Sequence, residues 1–377
     1  MHPVLAFMLE HQQAMIQDLE AVVRIESPSG DKAAVDRLGG HLARLFEETG
    51  AAVEVLPRAE RGDILRISFG QGREPGQTLV LCHMDTVFAV GDIARNPVRI
   101  EDGRLYGPGV CDMKAGIIFL LWAFRCMKQL GLRPRRDVVA LLTSDEEVGS
   151  DASRDLIEAE ARRSAVALVL EAPTATGALK TWRKGMAVYR VLAYGKAAHA
   201  GVDPTKGINA IVELAHQILA IQNLADPEAG TTVTIGVVQG GTRPNVVPAE
   251  AWVDVDVRYM SMEEAHRVDQ AIRALQPVLP GAVLRVEGGI KHPPMVRGEA
   301  TGALFRLAQS LAAELGFAVE EAGTGGVSDG NFAAAAGCPT LDGLGACGDG
   351  LHTLHEYVEV DSLPRRAALL VRLLQEA

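Results

Sequence analysis

The sequence predicts an α/β fold of two domains, in which an α/β catalytic domain is interrupted by an inserted α+β domain. Strands alternate with helices towards both ends of the chain, whereas the middle has a compact β-α-β-β-α-β order. Residues capable of chemistry lie on both sides of the middle part, which favours an insertion over two domains in series. The length of 377 residues suits two domains. The predicted catalytic domain covers 1–175 and 290–377, and the insert covers 176–289.

The elements of the catalytic domain follow from hydrophobic periodicity. Amphipathic spacing or a long apolar run predicts a helix, and a short run rich in β-branched residues predicts a strand. The predicted helices cover 4–24, 33–49, 115–130, 150–163, 301–315, 329–336 and 361–376. The predicted strands cover 52–56, 64–69, 78–82, 137–142, 165–170 and 339–344.

The insert has the plan of a ferredoxin-like domain. Near alternation of apolar and polar residues predicts its strands, and Gly288 and Gly289, followed by two prolines, are expected to end it. The predicted strands cover 186–194, 231–239, 251–259 and 282–286, and the predicted helices cover 208–221 and 262–275.

Composition argues against several classes of partner. A formal net charge of −11 disfavours binding to nucleic acid or to an anionic membrane, because both need a basic surface. No run of about 18 apolar residues is present, and the N-terminal segment lacks the basic and apolar regions of a signal peptide. We therefore expect a cytoplasmic protein. Its five cysteines are expected to be reduced, because their number is odd and no C-x-x-C spacing occurs.

Histidines and acids cluster at the ends of predicted strands, where ligand sites form in open α/β sheets. In L-V-L-C-H-M-D-T-V, His83 and Asp85 share one face of an extended chain, because they lie two residues apart. The acids of the next three clusters are Asp112, the run Asp145, Glu146 and Glu147, and Glu171. The last cluster contains His352, His355 and Glu356.

Each cluster alone has a simpler interpretation. Asp112 could be the N-cap of the long apolar helix that follows it, and three adjacent acids could form a solvated turn. Together, two histidines and several carboxylates form a nitrogen and oxygen donor set without cysteine. That set suits two divalent ions bridged by a carboxylate and a water. Of two adjacent carboxylates, one can bind metal while the other acts as general base.

The order of these motifs resembles the M20 metallopeptidase family. The segments that carry the resemblance are H-M-D-T-V, G-P-G-V-C-D-M-K-A-G, T-S-D-E-E-V-G-S, E-A-P-T and a late H-x-x-x-E. The family includes glutamate carboxypeptidases of the carboxypeptidase G2 type, desuccinylases, acetylornithine deacetylases and aminoacylases. The resemblance covers essentially the whole chain. It implies a zinc-peptidase-like catalytic domain with an inserted lid and dimerisation domain.

The resemblance also implies a role for each matching residue. The metal ligands would be Asp112 as the bridge, His83 and Glu171 for one ion, and Glu147 and His352 for the other. Glu146 would be the general base and later the general acid, and Asp85 would orient His83. Two zinc ions per chain are expected, with cobalt or manganese as alternatives. His355 stands where the family more often has Asn, and it receives no role.

The insert contributes further residues by the same resemblance. His199, in Y-G-K-A-A-H-A-G, would reach across a homodimer and stabilise the oxyanion in the neighbour's site. Asn245 and Arg258 would line the site for the substrate carboxylate, although Arg258 could instead form a surface ion pair. The candidate substrate contacts of the Gly-rich segment G-T-G-G-V-S-D-G-N-F are Gly325, Gly326 and Ser328.

The sequence therefore predicts a two-metal hydrolase that cleaves an amide bond next to a free carboxylate. A metal-bound water would attack, with Glu146 as the base, and the substrate would be a small peptide, as for a glutamate carboxypeptidase. An N-acyl amino acid deacylase of the same architecture is the first alternative. The second is a metal-binding scaffold without catalysis, which Glu146 disfavours because a scaffold needs no general base.

Overall fold

The computed structural model describes all 377 residues. Its helices are α1 (Pro3–Glu10), α2 (Gln12–Val23), α3 (Lys32–Thr49), α4 (Ala115–Gln129), α5 (Arg154–Ala161), α6 (Ala210–Gln222), α7 (Met262–Arg273), α8 (Glu299–Glu314), α9 (Gly330–Ala335) and α10 (Leu363–Glu376). Its first eight strands are β1 (Ala52–Leu56), β2 (Ile64–Phe69), β3 (Gln77–His83), β4 (Arg99–Glu101), β5 (Arg104–Tyr106), β6 (Asp137–Thr143), β7 (Ser164–Val169) and β8 (Leu179–Arg183). The others are β9 (Gly185–Tyr194), β10 (Thr232–Gly240), β11 (Glu250–Tyr259), β12 (Val283–His292), β13 (Glu321–Thr324), β14 (Thr340–Leu341), β15 (Gly348–Asp349) and β16 (Tyr357–Glu359).

The chain forms two compact units. Unit 1 comprises Met1–Trp182, Arg297–Thr324 and Ser328–Ala377, and unit 2 comprises Arg183–Val296 and Gly325–Val327. The divisions at 182/183 and 296/297 lie later than the sequence boundaries at 175/176 and 289/290. The first is displaced because β8 pairs with β13 inside unit 1, and the second because β12 runs on to His292.

A mixed six-stranded sheet in the order β1-β2-β6-β3-β7-β14 lies at the centre of unit 1. The neighbours β6, β3, β7 and β14 run parallel, so their carboxyl ends lie at one edge of the sheet. β3 and β6 are almost entirely buried, as expected for strands covered on both faces. One apolar cluster includes residues of α4 and α10, and the other includes residues of α5 and α9.

The predicted helix over 4–24 is two helices, α1 and α2, separated at His11. The His11 ring stacks on Phe7 with 4.2 Å between ring centroids, and its Nδ1 lies 2.9 Å from the Phe7 carbonyl oxygen. Apolar residues are buried on both sides of the break, so the periodicity alone predicted one continuous helix. No helix of the molecule combines the length and the apolar character needed to cross a membrane.

A small sheet in the order β15-β16-β5-β4 was not predicted. Its strands have only two or three residues, too few to show a period of two. Side chains stabilise it from one face: Arg99 lies over the ring of Tyr106, Arg104 lies over Tyr357, and the two tyrosine rings are 5.5 Å apart. The sheet joins two parts of the chain that are distant in sequence, and both continue into loops of the candidate site.

Unit 2 has an antiparallel sheet in the order β10-β11-β9-β12, with α6 and α7 as its helices. That is the strand order of a ferredoxin-like fold. β12 does not end at Gly288 and Gly289 as predicted, but continues through both to His292. A Cβ atom at Gly288 would lie 2.2 Å from the carbonyl oxygen of Val188. Glycine therefore permits close strand pairing here and does not terminate the strand.

Candidate metal centre

Segments from distant parts of unit 1 bring their side chains to one place. β3 ends at His83, β6 leads into the short 3-10 turn Glu146–Val148, and β7 is followed by Glu171. These three meet because the strands are parallel neighbours with a common carboxyl edge. Asp112 comes from the kinked turn over 110–114 that precedes α4, and His352 from the loop between β15 and β16.

The imidazole of His83 lies between two carboxylates. Its Nε2 is 3.0 Å from Oδ1 of Asp112 and 3.4 Å from Oε1 of Glu171. Its Nδ1 is 2.9 Å from the backbone oxygen of Asp85. Because Nδ1 is engaged with a carbonyl, Nε2 is the nitrogen directed at the carboxylates, the arrangement typical of a metal-ligating histidine.

A second histidine approaches the other oxygen of the same aspartate. Nε2 of His352 is 3.1 Å from Oδ2 of Asp112 and 3.2 Å from Oε2 of Glu147. The two oxygens of Asp112 therefore face two different histidines. The side chain of His352 is half exposed, whereas that of Asp112 is buried.

The spacing of these side chains fits two divalent ions that share Asp112. Two ligand atoms of one tetrahedral zinc ion lie about 3.4 Å apart, given bonds of about 2.1 Å. The distances from the histidine Nε2 atoms to the carboxylate oxygens, between 3.0 and 3.4 Å, are close to that value. Two sets of three residues each bring their potential ligand atoms within 4.8 Å of one another. One set is His83, Asp112 and Glu147, and the other is His83, Glu146 and Glu171.

The electrostatics are those of crowded, buried acids. Burial raises the pKa of Glu146 well above its ordinary value, and the neighbouring Glu171 raises it further. Hydrogen bonds with Asp112 and Glu147 raise the pKa of His352 to about 10. Burial alone would lower the pKa of His83, but its carboxylate partners raise it well above the ordinary value. Positive charge is thus favoured between the carboxylates, where a metal cation can supply it.

Asp112 is not the N-cap of α4, so that simpler interpretation is wrong. The N-cap position is Lys114. Asp112 has φ −117° and ψ 93°, and its peptide bond to Met113 is cis. Its carboxylate points to the two histidines instead.

Asp85 contacts other residues in addition to His83. Its carboxylate accepts a hydrogen bond from the Ser29 hydroxyl at 2.7 Å, and from the backbone N–H groups of Glu146 at 3.3 Å and Glu147 at 3.2 Å. Its Oδ1 is 3.6 Å from Nδ1 of His83, farther than the backbone oxygen of the same residue. Asp85 therefore orients His83 mainly through its carbonyl, and its carboxylate holds the acidic turn.

Two buried acids that were given no role hold loops of the centre. Glu356 accepts hydrogen bonds from the backbone of the Asp112 turn. Asp329 accepts from the hydroxyls of Thr143 at 2.7 Å and Ser150 at 2.6 Å, on either side of the acidic turn. Burial raises the pKa of Glu356 to about 8 and that of Asp329 to about 7. The only signal in the sequence was their position beside predicted site residues.

His199 and Asn245 lie on neighbouring segments of unit 2. His199 forms an antiparallel bridge with Val246, and the N–H of Ala200 donates to the carbonyl of Asn245 at 3.0 Å. Nδ1 of His199 accepts from the backbone N–H of Gly201 at 3.1 Å. The side chains of His199 and Asn245 are accessible.

Arg258 forms the ion pair that was considered as its simpler role. Its Nε lies 2.9 Å from Oδ1 of Asp256 and its Nη2 2.9 Å from Oδ2. Its Nη1 donates to the carbonyl of Gly325 at 3.3 Å. The guanidinium remains partly exposed, so another carboxylate can compete with Asp256 for it.

The Gly-rich segment is divided between the units. Gly325 and Gly326 are exposed members of unit 2. Ser328 is fully buried in unit 1, where its hydroxyl donates to Asp342 at 2.7 Å and its N–H donates to Asn331 at 3.0 Å. Because these contacts use its hydroxyl and its N–H within the fold, we remove Ser328 from the candidate substrate contacts.

Known proteins match most of the length of the chain. A family model described as peptidase family M20/M25/M40 matches residues 79–376. The chain is 34% identical to carboxypeptidase G2 of Pseudomonas sp. (strain RS-16), covering 97% of this chain and 90% of that protein. It is 30% identical to acetylornithine deacetylase of Myxococcus xanthus, covering 83% of each. The crystal structure of aminopeptidase PepT from Bacillus cereus superposes with a TM-score of 0.79 at 23% identity, covering 97% of this chain and 98% of that one.

The mixed α/β fold and its cluster of histidines and carboxylates are those expected of a metallohydrolase. The chain belongs to peptidase family M20/M25/M40. It is therefore an enzyme of that family, and its fold is the M20 peptidase fold predicted from the sequence.

Proposed function

We propose that the protein is a two-metal amidohydrolase that cleaves an amide bond next to a free carboxylate, as a carboxypeptidase of the glutamate carboxypeptidase type. The observation that carries this proposal is the position of Asp112, whose two oxygens face His83 and His352. A single carboxylate between two histidines is the arrangement of a bridging ligand. The 34% identity to carboxypeptidase G2 supports the choice of a carboxypeptidase.

The proposed ligands are Asp112 for both ions, His83 and Glu171 for one, and Glu147 and His352 for the other. Zinc is the proposed ion because nitrogen and oxygen donors at these distances suit it, and cobalt or manganese would fit the same donors. When bound, two such ions would lower the pKa of a bound water towards neutrality and polarise the scissile carbonyl.

Glu146 is the proposed general base. Its carboxylate makes no hydrogen bond, lies near Glu171 and His83, and has a raised pKa. A base with a raised pKa can accept the proton of the attacking water and return it to the leaving amine. The hydrogen bonds from the N–H groups of Glu146 and Glu147 to Asp85 hold the turn in place while the proton moves.

The free carboxylate of the substrate is proposed to bind to Arg258, with Asn245, Gly325 and Gly326 as further contacts. A guanidinium can bind a carboxylate through two parallel hydrogen bonds, which is how Arg258 already binds Asp256. His199 is proposed to stabilise the oxyanion of the tetrahedral intermediate.

We also propose a homodimer formed by unit 2, in which His199 acts in the neighbour's site. α6 exposes Ile211, Val212 and Leu219, and the adjoining edge strand β10 exposes Val237 and Val238. An apolar helix face beside an unpaired strand edge is a surface that a second copy can cover symmetrically.

An N-acyl amino acid deacylase is the second candidate function. It is supported by the 30% identity to acetylornithine deacetylase. Both reactions hydrolyse an amide beside a carboxylate, so the same metal ligands and the same base would serve. A scaffold without catalysis is disfavoured by Glu146, because the proposed ligand set does not include it and a scaffold needs no general base.

The test is a hydrolysis screen of the metal-replete enzyme together with analysis of its metal content. Peptidyl and N-acyl amino acids are compared with the same compounds carrying a carboxamide in place of the free carboxylate. We expect about two ions per chain, hydrolysis of the free acids, and little hydrolysis of the capped compounds. Cleavage of N-acyl compounds alone would favour the deacylase, and two bound ions without any turnover would favour the scaffold.

A further inference from the structure

Glu356 is a buried carboxylate that joins two loops of the metal centre. It follows His352 by four residues and directly precedes β16. Its Oε1 accepts hydrogen bonds from the backbone N–H groups of Cys111 at 2.7 Å and Asp112 at 2.9 Å, and its Oε2 accepts from Gly109 at 3.0 Å.

The backbone adds a second connection between the same loops. The N–H of Gly107 donates to the carbonyl of Glu356 at 3.3 Å, and Tyr357 pairs with Tyr106 where β16 meets β5. Gly109 has a φ of +70°, and a Cβ atom there would lie 2.5 Å from Cγ2 of Thr86. The turn that Glu356 binds is therefore tightly enclosed on its other side.

We infer that Glu356 is a positioning residue for the metal centre, which holds Asp112 at the distance from His352 that a second ion requires. The inference rests on the proposed two-metal function. His83 ends a strand of the central sheet, and Glu171 closely follows one, so the sheet positions both ligands that the first ion does not share. Of the ligands of the second ion, only Glu147 follows a strand of that sheet. Asp112 and His352 lie on loops, and Glu356 bonds to one loop and belongs to the other.

Replacing the carboxyl group of Glu356 should weaken the second ion more than the first. In Glu356→Gln the side chain keeps its length, but an amide NH₂ group then faces a backbone N–H donor. Loss of a group that orients metal ligands typically lowers metal affinity about 10- to 100-fold. We expect a loss of that size for the ion assigned to Glu147 and His352, and retention of the ion assigned to His83 and Glu171.

The experiment titrates the full-length protein with zinc at buffered free concentrations and counts ions and affinities. It compares wild type with Glu356→Gln, Glu356→Asp and Glu359→Gln. Glu359 is exposed at the end of β16, the strand that Glu356 precedes, so Glu359→Gln makes the same chemical change away from the Asp112 turn. Absorption spectra of the cobalt-loaded proteins report the coordination of each ion independently of activity. Thermal unfolding in chelator shows whether each variant folds without metal.

The inference would be supported if both Glu356 variants bound one zinc ion with wild-type affinity and the other with lower affinity. Glu359→Gln should bind both ions with wild-type affinity. If Glu356→Gln does not fold, Glu356→Asp decides, because it keeps the carboxyl group but is too short to reach all three donors. Wild-type affinity and spectra in a folded Glu356 variant would overturn the inference, even if that variant were less stable. Equal weakening of both ions would overturn it as well. Wild-type protein that binds no ion would instead contradict the proposed function.

Discussion

Adjacent acids have different surroundings in the run from Asp145 to Glu147. Oδ2 of Asp145 accepts a hydrogen bond from the backbone of Ala152 at 2.6 Å and so holds the following turn. The carboxylate of Glu146 makes no hydrogen bond, and that of Glu147 faces His352. Asp145 is thus structural, whereas Glu146 and Glu147 have the surroundings that suit the base and the ligand proposed for them, although the three acids look alike in the sequence.

Glu146→Gln should lower kcat by about 10²–10⁴-fold, because it removes a positioned general base. Metal content should stay at the wild-type value, since the proposed ligands are other residues. Steady-state kinetics and elemental analysis of the same preparation check both statements. Glu60→Gln, a change at an exposed acid of unit 1, serves as the control. A variant that keeps more than about a tenth of kcat would refute the assignment of the base.

The candidate ligands and the supporting Asp85 could be predicted from the sequence, whereas the supporting roles of Glu356 and Asp329 could not. His83, Asp112 and Glu171 lie in or beside apolar segments, where an isolated polar residue is conspicuous. Glu356 and Asp329 bind backbone N–H groups and hydroxyls that are far away in sequence, such as Cys111 and Thr143. The pattern of residue types does not reveal which backbone N–H group a side chain will bind, so such contacts are seen only in the folded structure.

At the scale of elements, the strands of the central sheet of unit 1 and of the sheet of unit 2 were predicted better than strands of two or three residues in the small sheet. β1 and β2 have the predicted bounds, because their runs of β-branched residues end at clear turn signals. The sheet of β4, β5, β15 and β16 was missed, since its stability comes from pairing between distant segments and from Arg–Tyr stacking. The role of Gly288 was also predicted wrongly. It was expected to end the last strand of the insert, but it lies within β12 and allows the backbone of Val188 to approach closely.

Substitution of alanine for two different helical glycines should change the free energy of unfolding in opposite directions. A Cβ atom at Gly116 in α4 would lie 2.3 Å from the carbonyl oxygen of Leu170, whereas one at Gly40 in α3 would meet nothing within 4 Å. Gly116→Ala should lower the free energy of unfolding by about 1–3 kcal/mol through overpacking. Gly40→Ala should raise it by about 0.5–1 kcal/mol, because alanine loses less backbone entropy in a helix. Urea unfolding in chelator measures both, and changes of the same sign would contradict the packing described here.

At the scale of the whole molecule, unit 2 carries the apolar surface proposed to form a dimer. The side chain of Leu219 on α6 is 66% exposed, and that of Val283 on β12, at the opposite edge of the sheet, is 58% exposed. The two residues are similar in size and exposure but differ in position. They are therefore a matched pair for locating the interface.

Leu219→Glu should shift the protein from dimer to monomer, because it places a charge within the proposed apolar contact. Val283→Glu should leave the dimer intact. Light scattering after gel filtration measures the mass of each. A monomeric wild-type protein, or an equal effect of both substitutions, would contradict an interface at α6 and β10.

The same dimer predicts complementation between two inactive proteins. Glu146→Ala and His199→Ala chains, mixed under conditions that exchange subunits, should form dimers in which one site has both groups. Activity should then rise towards about half of wild type per mixed dimer if the sites are independent. Absence of recovery despite proven exchange would mean that His199 does not act in the neighbour's site.

The contact between Asp112 and His352 also has a consequence for how the chain folds. These residues are 240 positions apart in sequence, and the whole continuous part of unit 2 lies between them. Closing so long a loop carries an entropic cost that grows only with the logarithm of its length, but no local segment can form the contact alone. Ions that bind there would bind to the completed fold and not to its fragments. They would therefore stabilise the entire chain by mass action, and their uptake would mark the end of folding.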